Sequence, residues 1–442
     1  MTACAIEPTA ADEDGTPQAG CVITADGGYA ARLTRDGDSW FPERWTMDGP
    51  EPYTVPLPGN QPEEPGTEVQ PMGDGRVLIR RFTDGRHNFS LLYPTGPGTG
   101  ELLLGAVECP DEETRLRLLP PAPGGEKAYA LAVGRRTTAV WLVAGGAFGP
   151  EHLAEIPGRC SGGVWLDRAG RMLALDREVG GCTKAIVVDL ARGGEVSPLL
   201  QIAAGSDDRL LLADPDSGLL LIASDAPSPG QERLGWGVMG STLPVRFPES
   251  LRLPECTVTP FAIQPGQVLM PESCAVALRI DGPLGSWVGM WRPDGRQVHH
   301  LAAPVGWLAG SGLWTPDRVL RLPYATDEVP CGIAELTMPA AEGRAIGNGG
   351  TAGDAGPGDP DRGGAAAGQT PDTASDSGTG GSSEPDSPGP AAGAGSEPTE
   401  SAADAEPEPT ESAADAEPEP VEPVVPRPVP LGKAPLARLV TN

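Results

Sequence analysis

Short apolar segments recur along residues 20–340, and each follows a turn rich in Gly, Asp or Pro. The turns, in chain order, are Asp26-Gly27-Gly28, Asp74-Gly75, Gly124-Gly125, Asp167–Gly170, Asp214–Gly218, Pro265-Gly266 and Pro316-Asp317. From Gly27 to Pro316 the steps between successive turns are 48, 50, 45, 48, 48 and 50 residues. A nearly constant period of this length predicts an array of repeated supersecondary units.

Each turn leads into a strand-like segment, as expected where Gly or Asp allows a tight reversal of the chain. The segments after the turns are Arg76–Ile79, Lys127–Leu131, Arg171–Leu175, Leu219–Ile222, Gln267–Met270 and Arg318–Leu322. Further along most repeats lies a second apolar segment, namely Phe89–Tyr93, Ala139–Val143, Ala185–Val188, Trp287–Trp291 and Ile333–Leu336. Two hairpins per repeat predict a four-stranded antiparallel sheet.

A lone four-stranded sheet cannot bury both of its faces, whereas sheets stacked around an axis cover one another. The sequence therefore predicts an all-β fold, a seven-bladed β-propeller over residues 20–340, with six or eight blades as alternatives. Helical periodicity is nearly absent. The acidic stretch Asp111–Leu119 runs into Pro120-Pro121, so we expect a loop that leads into a strand.

The rhythm of turns and strands from Gly27 to Leu336 resembles bacterial propellers of the WD40-like and YVTN-like kinds. The resemblance is one of architecture. No Trp-Asp dipeptide closes a repeat, and neither an Asp-box nor a YVTN tetrapeptide occurs. No particular propeller family is indicated.

The chain flanking the propeller has a different composition. The last aromatic residue is Tyr324, and an 11-residue unit occurs at 398–408 and again at 409–419. Such a composition cannot offset chain entropy by burial, so we expect a flexible segment at 1–19 and a disordered acidic tail at 341–423. Residues 424–442 are apolar and mildly basic, which suggests either an unselected terminus or a short docking peptide. The residues of that docking peptide are Pro426, Arg427, Pro430, Leu431, Leu436, Arg438 and Leu439.

The balance of charge is strongly acidic, with 61 Asp and Glu against 32 Lys and Arg. Residues 341–442 alone contain 18 acidic and 5 basic residues. Binding to nucleic acid needs clustered cations that displace counterions, and no such cluster occurs. The expected partners are therefore proteins. The predominance of Arg over Lys, with Ala, Gly and Pro, is typical of a GC-rich genome such as an actinobacterial one.

The start of the sequence bears on the compartment. No apolar run approaches the roughly 20 residues of a membrane span, and the first residues lack the charged and apolar regions of a signal peptide. As written, the chain is expected to be cytoplasmic and monomeric. Thr2-Ala3-Cys4 resembles the end of a lipoprotein signal. If the true start lies upstream, the alternative is an exported or lipid-anchored propeller that binds envelope components.

Eight cysteines occur without a Cys-x-x-Cys motif, which argues against zinc ribbons and thioredoxin-like chemistry. Two repeats each contain a spaced pair, Cys160 with Cys182 and Cys256 with Cys274. In each pair we expect the first cysteine to precede the first strand and the second to begin the third, which places both on the same face of the disc. Each pair could then form a disulfide within its blade, and export would follow. The alternative is that these cysteines are buried free thiols.

Chemistry-bearing motifs are otherwise scarce. The four histidines, His87, His152, His299 and His300, lack metal-ligand spacing, and Asp214–Gly218 offers only part of a calcium loop, so we expect a plain turn there. No nucleophile elbow, P-loop or dinucleotide fingerprint appears. We therefore predict no catalytic, cofactor or metal site and a non-enzymatic interaction platform. An axial lyase or hydrolase is the alternative, recognisable by carboxylates or histidines from at least three blades around the axis.

Overall fold

The computed structural model describes residues 20–96, 98–111, 113–265 and 270–338. Within these ranges the regular secondary structure consists almost entirely of antiparallel strands, which we group into seven consecutive units. Unit 1 contains β1 (Val22–Ile23), β2 (Tyr29–Asp36), β3 (Ser39–Thr46) and β4 (Tyr53–Pro56). Unit 2 contains β5 (Glu68–Pro71), β6 (Val77–Thr83), β7 (Arg86–Pro94) and β8 (Thr99–Glu108). Unit 3 contains β9 (Arg115–Leu118), β10 (Ala128–Val133), β11 (Thr137–Ala144) and β12 (Glu151–Pro157).

The second half of the propeller repeats this plan. Unit 4 contains β13 (Arg159–Trp165), β14 (Met172–Val179), β15 (Cys182–Asp189) and β16 (Glu195–Pro198). Unit 5 contains β17 (Asp208–Ala213), β18 (Leu219–Ser224) and β19 (Arg233–Val238). Unit 6 contains β20 (Thr257–Ile263), β21 (Val276–Gly282), β22 (Gly285–Trp291) and β23 (His299–Leu301), and unit 7 contains β24 (Leu313–Trp314), β25 (Val319–Tyr324) and β26 (Gly332–Thr337). Three short 3-10 helices lie at Leu190–Arg192, Glu249–Leu251 and Pro271–Ser273.

Hydrogen bonding divides these strands among six sheets. Units 4 and 5 share one sheet because Lys184 on β15 and Asp208 on β17 form a single parallel pair between them. The other units form separate antiparallel sheets in chain order. The fold is thus an all-β propeller, as the sequence predicts. The count of seven blades stays a prediction, since two of the units are joined in one sheet.

The core lies between the units rather than inside any one of them. Seven clusters of buried apolar side chains each bridge two neighbouring units. In the cluster between units 1 and 2, Leu33 and Val69 pack together with Ile79. Because strand side chains alternate between faces, every sheet contributes to the cluster on each of its sides. A single unit could not bury the apolar residues on both of its faces.

The last of these clusters joins the two ends of the propeller, and we call it the closing seam. It contains Cys21, Trp45 and Met47 from unit 1 with Leu308 and Cys331 from the end of the described chain. At the same seam the Cys21 amide donates to Ser311 Oγ at 2.9 Å, and the Ser311 hydroxyl donates to the Cys21 carbonyl at 2.8 Å. The ring is therefore closed by packing and by paired hydrogen bonds.

The predicted turns connect the first and second strands of their units and lie on one face of the propeller, which we call the turn face. Gly27, Gly75, Gly170 and Gly218 all have positive φ there, between 63° and 81°, a region that favours glycine. The strands predicted after these turns are confirmed as β6, β10, β14, β18 and β25, and the second segments as β7, β11, β15, β22 and β26.

The structure tests the prediction for unit 6 only in part. Its second strand is Val276–Gly282, which follows a 3-10 helix at Pro271–Ser273. The predicted strand Gln267–Met270 lies outside the described residues except for Met270, so it stays a prediction. Residues 266–269 lie outside the described ranges. So do the predicted N-terminal segment, the acidic tail and the docking peptide at 424–442, which stay predictions.

Candidate functional site

The first strands of the units surround the propeller axis and enclose a cavity. Its inner part, the axial chamber, has a volume of about 610 Å³ and is bordered by residues of β5, β9, β13 and β17. Its outer part opens on the turn face with a volume of about 550 Å³, and we call it the axial mouth. The two parts share Pro120, Pro121, Gly163, Val164 and Leu211, so they are continuous.

The axial chamber contains charges of both signs. The Glu68 carboxylate accepts a hydrogen bond from Arg80 Nε and one from the Leu118 amide at 3.1 Å. The Arg117 guanidinium donates to the Gly162 carbonyl at 2.7 Å. These contacts hold both groups against the wall of the chamber, so each has little freedom to move toward a ligand.

Asp176 on β14 is the buried carboxyl group of the chamber. It is 5% exposed, and its Oδ1 accepts a hydrogen bond from the Leu210 amide at 3.0 Å. A Cβ at Gly162 would lie 2.9 Å from Oδ2, so the glycine leaves room beside this oxygen. Burial raises the pKa of Asp176 to about 6, although the Leu210 amide and Arg209 act in the opposite direction.

This raised pKa predicts how stability depends on pH. Because the pKa of an unfolded Asp is about 3.9, the folded protein binds the proton more tightly, and stability falls as the pH rises from about 4 through 6. Asp176→Asn removes this effect. We expect the variant to gain about 3 kcal/mol over the wild type between pH 4 and 7.5.

The measurement is urea unfolding of both proteins across that pH range. Asp317→Asn, at an exposed position of the turn face, is the matched control and should follow the wild-type profile. Parallel profiles for wild type and Asp176→Asn would contradict the assignment of the raised pKa.

The axial mouth is mostly apolar and rich in proline. Its walls include Ile23, Trp165, Leu212 and five prolines, namely Pro120, Pro121, Pro123, Pro215 and Pro265. Trp165 is held in place because its Nε1 donates to the Pro120 carbonyl at 3.1 Å. Proline has no backbone N–H, so this wall offers carbonyl acceptors but few donors.

Charged groups on the rim of the mouth are mainly acidic. Asp26, Asp214 and Asp216 border it together with one cation, Arg168. Arg168 Nε donates to Asp216 Oδ1 at 2.6 Å across units 4 and 5. Partial burial raises the pKa of Asp26, but hydrogen bonds from Thr24 and the Gly28 amide outweigh it and lower the pKa overall. The rim therefore carries an excess of negative charge.

The predicted turn at Asp214–Gly218 is confirmed. Asp214 Oδ2 accepts hydrogen bonds from the Ser217 amide and hydroxyl, at 2.9 and 2.5 Å, and the Gly218 amide donates to the Asp214 carbonyl at 2.9 Å. The carboxylate of Asp214 thus closes its own turn, as turn-forming aspartates commonly do.

The structure does not bring together the cysteines of either predicted disulfide. All four are free thiols. Cys160 on β13 and Cys182 on β15 flank β14, opposite Arg177 and Val179. Two strand spacings separate them by roughly 10 Å, more than the roughly 7 Å that a disulfide tolerates between Cα atoms.

The second predicted pair is separated along its strands. Cys256 precedes β20 and Cys274 precedes β21, the second strand of the unit rather than the third. These strands are antiparallel, with Thr257 opposite Asp281 and Ile263 opposite Val276, so the two cysteines lie at opposite ends of the hairpin. The interpretation of these four cysteines as disulfides does not fit this geometry.

Alkylation tests this arrangement. When unreduced protein is denatured and treated with an alkylating reagent, peptide mapping should find Cys160, Cys182, Cys256 and Cys274 modified. Reduction before alkylation should not increase the label at any of them. A disulfide-linked peptide containing two of these residues would contradict the register described here.

The histidines lie in three different units, and only His299 and His300 are neighbours, as consecutive residues of β23. His87 is buried, and burial, reinforced by the Arg80 charge, lowers its pKa to about 4. His152 packs edge-on against Trp141, and His300 accepts a hydrogen bond from Trp287 Nε1 at 2.8 Å. Over residues 20–338, leaving aside the three gaps in that span that are not described, no three His, Cys, Asp or Glu side chains are grouped as metal ligands.

Sequence reasoning missed Glu68, Arg117 and Asp176. The one local signal is a charged residue directly after or within an apolar strand segment. Asp176 directly follows the predicted strand Arg171–Leu175. The apolar residues before it would lead one to expect an apolar side chain at this position as well.

No protein-family model and no curated protein matches this chain. Three solved structures show the likeness in fold. TolB from Acinetobacter baumannii has 14% identity and a TM-score of 0.41, covering 64% of this chain and 66% of that one. Oligogalacturonate lyase from Vibrio parahaemolyticus has 11% identity and a TM-score of 0.45, covering 72% and 90%. Acylaminoacyl peptidase from Pyrococcus horikoshii has 11% identity and a TM-score of 0.43, covering 72% and 51%.

All three TM-scores lie below 0.5, and neither a family nor an activity is assigned from them. The chain spans about two thirds of the TolB structure and about half of the peptidase. None of the helices in the described ranges has the length and hydropathy of a membrane span.

Proposed function

We propose that this protein is a non-enzymatic interaction propeller whose axial mouth binds an extended segment of a protein partner, one that combines apolar and basic residues. The acidic segment at 341–423 serves as a tether. The observation that supports this most directly is the composition of the mouth, a proline-lined apolar pocket with an acidic rim.

The chemistry of the wall favours a peptide as ligand. Five prolines remove backbone donors from the mouth, while proline carbonyl groups can accept hydrogen bonds, as the Pro120 carbonyl does from Trp165. A ligand that enters must therefore supply N–H groups, and an extended peptide backbone supplies one per residue. Apolar side chains of the ligand gain by leaving water, at about 25 cal/mol per Å² of buried area.

The charge of the rim favours basic side chains in the ligand. Three carboxylates face one guanidinium at the mouth, and the whole chain has a net charge of −29. Such a field accelerates the approach of cationic segments and repels acidic ones. Binding should weaken as salt is added, because the Debye length falls from about 10 Å at 0.1 M to about 3 Å at 1 M.

Two arrays of immobilised peptides test the proposal. Both contain Leu, Val and Pro at the same positions, but one contains Arg where the other contains Glu. The full-length protein should bind the Arg array at least about tenfold better than the Glu array. Asp216→Asn should weaken binding to the Arg array, whereas Asp317→Asn, exposed on the same face but away from the mouth, should not. Equal binding to both arrays would contradict the proposal.

A second candidate, an axial lyase or hydrolase, is favoured by one observation. Asp176 is a buried carboxyl group with a pKa raised to about 6 beside a cavity of about 610 Å³, as expected of an acid–base catalyst. Against it, the chamber receives carboxylates from only two units in the described ranges, Glu68 in unit 2 and Asp176 in unit 4. Any turnover found in a substrate screen would have to be lost in Asp176→Asn for this candidate to stand.

A further inference from the structure

We infer that the outer strand of unit 2, β8, is an interface through which two copies of this chain pair edge to edge as a twofold dimer. The inference is independent of the axial mouth. It rests on the length, exposure and side chains of one sheet edge.

Strand β8 lies at the outer edge of its sheet and is unusually long. It spans ten residues, the longest strand in the described ranges, and pairs with β7 on one side only. The outer strands of the other four-stranded units are shorter: β4 and β16 have four residues each and end in proline, β12 has seven, and β23 has three. A free edge presents a row of unpaired N–H and C=O groups to any second strand.

The edge lacks two of the features that usually prevent pairing, although its ladder with β7 contains one bulge, where Ser90 lies opposite Leu103 and Phe89 opposite Gly105. Natural proteins protect sheet edges with proline, lysine, short strands or inward charges. The β8 sequence, Thr-Gly-Glu-Leu-Leu-Leu-Gly-Ala-Val-Glu, contains neither proline nor lysine. Leu102 and Leu103 are 48% and 69% exposed. Because consecutive side chains of a strand point to opposite faces, this edge is apolar on both faces.

A loop of unit 3 extends the apolar surface. A Cβ at Gly105 would lie 2.8 Å from Pro150, and a Cβ at Gly149 would lie 2.7 Å from the Leu104 carbonyl, so this loop packs directly on β8. The residue before Gly149 is Phe148, which is 97% exposed. The loop therefore places an uncovered aromatic ring beside the edge strand.

The occupant that fits best is a second copy of β8. A partner strand must be apolar on both faces, whereas most half-buried strands are apolar on one. A twofold interface meets this demand because the same patch serves both subunits. The two carboxylates of β8 already have partners within the same sheet, since Glu101 pairs with Arg81 and Glu108 with Arg86, both at 2.6 Å. No unpaired charge would need to be buried.

The size of the edge predicts weak association. Ten residues extend for at most about 33 Å, and the unit 3 loop already contacts the strand at Leu104 and Gly105. The pair would therefore bury at most on the order of 1,000 Å² in total, near the lower limit for specific interfaces. The two copies also repel each other, because each carries a net charge of −29. Salt screens this repulsion, so dimerisation should become stronger as ionic strength increases.

Sedimentation equilibrium of the full-length protein tests the inference, from about 1 to 300 µM and at about 50 and 500 mM NaCl. The wild type should form dimers that are favoured by salt. Leu103→Lys should weaken dimerisation at least about tenfold. Leu284→Lys, which is 76% exposed at the β21–β22 turn of unit 6, is the matched control and should behave as the wild type.

Unchanged thermal unfolding of Leu103→Lys shows that the variant is folded. The inference is overturned if the wild type is monomeric throughout, if both lysine variants weaken association equally, or if salt dissociates the dimer. Peptide binding at the axial mouth is expected to be the same in Leu103→Lys and in the wild type, so failure here and failure of the proposed function are distinguishable.

Discussion

Replacing Lys184 with Met is expected to lower the free energy of unfolding by about 3–5 kcal/mol. Lys184 Nζ donates to Asp208 Oδ2 at 2.7 Å and also to the Ala203 carbonyl and Ser206 Oγ. Asp208 is completely buried. Methionine keeps most of the side-chain volume but leaves the carboxylate without its cation in a region from which water is excluded.

The position of this pair makes the effect large. Lys184 and Asp208 form the one parallel pair that joins units 4 and 5 into a single sheet. Asp208 also accepts hydrogen bonds from the Ser206 and Ser224 hydroxyls and from the Ile202 amide. These donors reduce the cost of the unpaired charge without cancelling it, since none of them carries a positive charge.

Denaturant unfolding of purified protein measures the loss. Lys127→Met is the matched control, because Lys127 is exposed and should tolerate the same substitution within about 0.5 kcal/mol. Asp208→Asn combined with Lys184→Met should recover part of the loss, since the double variant buries no charge. Equal stability of Lys184→Met and Lys127→Met would show that the buried pair contributes nothing.

Replacing Trp45 with Ala is expected to cost about 3–5 kcal/mol by opening the closing seam. Trp45 is 0% exposed and packs with Cys21, Leu308 and Cys331 from both ends of the propeller. The Arg32 guanidinium lies 5.2 Å from its ring centroid. Alanine leaves a cavity where the first and last units meet, and the surrounding sheets cannot close it without shifting.

Two measurements check this prediction. Unfolding in denaturant gives the loss of stability, and Phe148→Ala, at a side chain that is 97% exposed, should change it by less than about 0.5 kcal/mol. Alkylation of the native protein shows where the structure has opened. Burial raises the pKa values of Cys21 and Cys331 to about 12, so both thiols should react slowly in the wild type.

In Trp45→Ala these two cysteines should react faster, while Cys160, in the cluster between units 3 and 4, should not. Uniform acceleration at all cysteines would indicate global unfolding rather than an opened seam.

The fold could be predicted from the sequence because its signals are local. A glycine of positive φ followed by alternating apolar residues identifies a turn and its strand within about ten residues, as at Gly75 and Gly218. Unit 6 shows how far such local signals reach, because the connection between its first and second strands is longer than in the other units and contains a 3-10 helix.

The site could not be predicted because its contacts join distant parts of the chain. Glu68 meets Leu118 fifty residues later, and Asp176 meets Leu210 thirty-four residues later. Period and turn spacing do not specify which side chains point to the axis. The predicted disulfides do not fit the structure for a related reason. Whether two cysteines can pair depends on how many strands lie between them, and the sequence period does not show this.

The closing seam also has a consequence during synthesis. Cys21 and Ser311, which bond to each other, are 290 residues apart, so the ring cannot close until almost the whole propeller has left the ribosome. Residues 339–442 follow the last described strand, and at about 5–20 residues per second their translation lasts roughly 5–20 s. During that interval the nascent chain is still attached to the ribosome through its C-terminus. Units 1 and 7 can therefore associate before the chain is released.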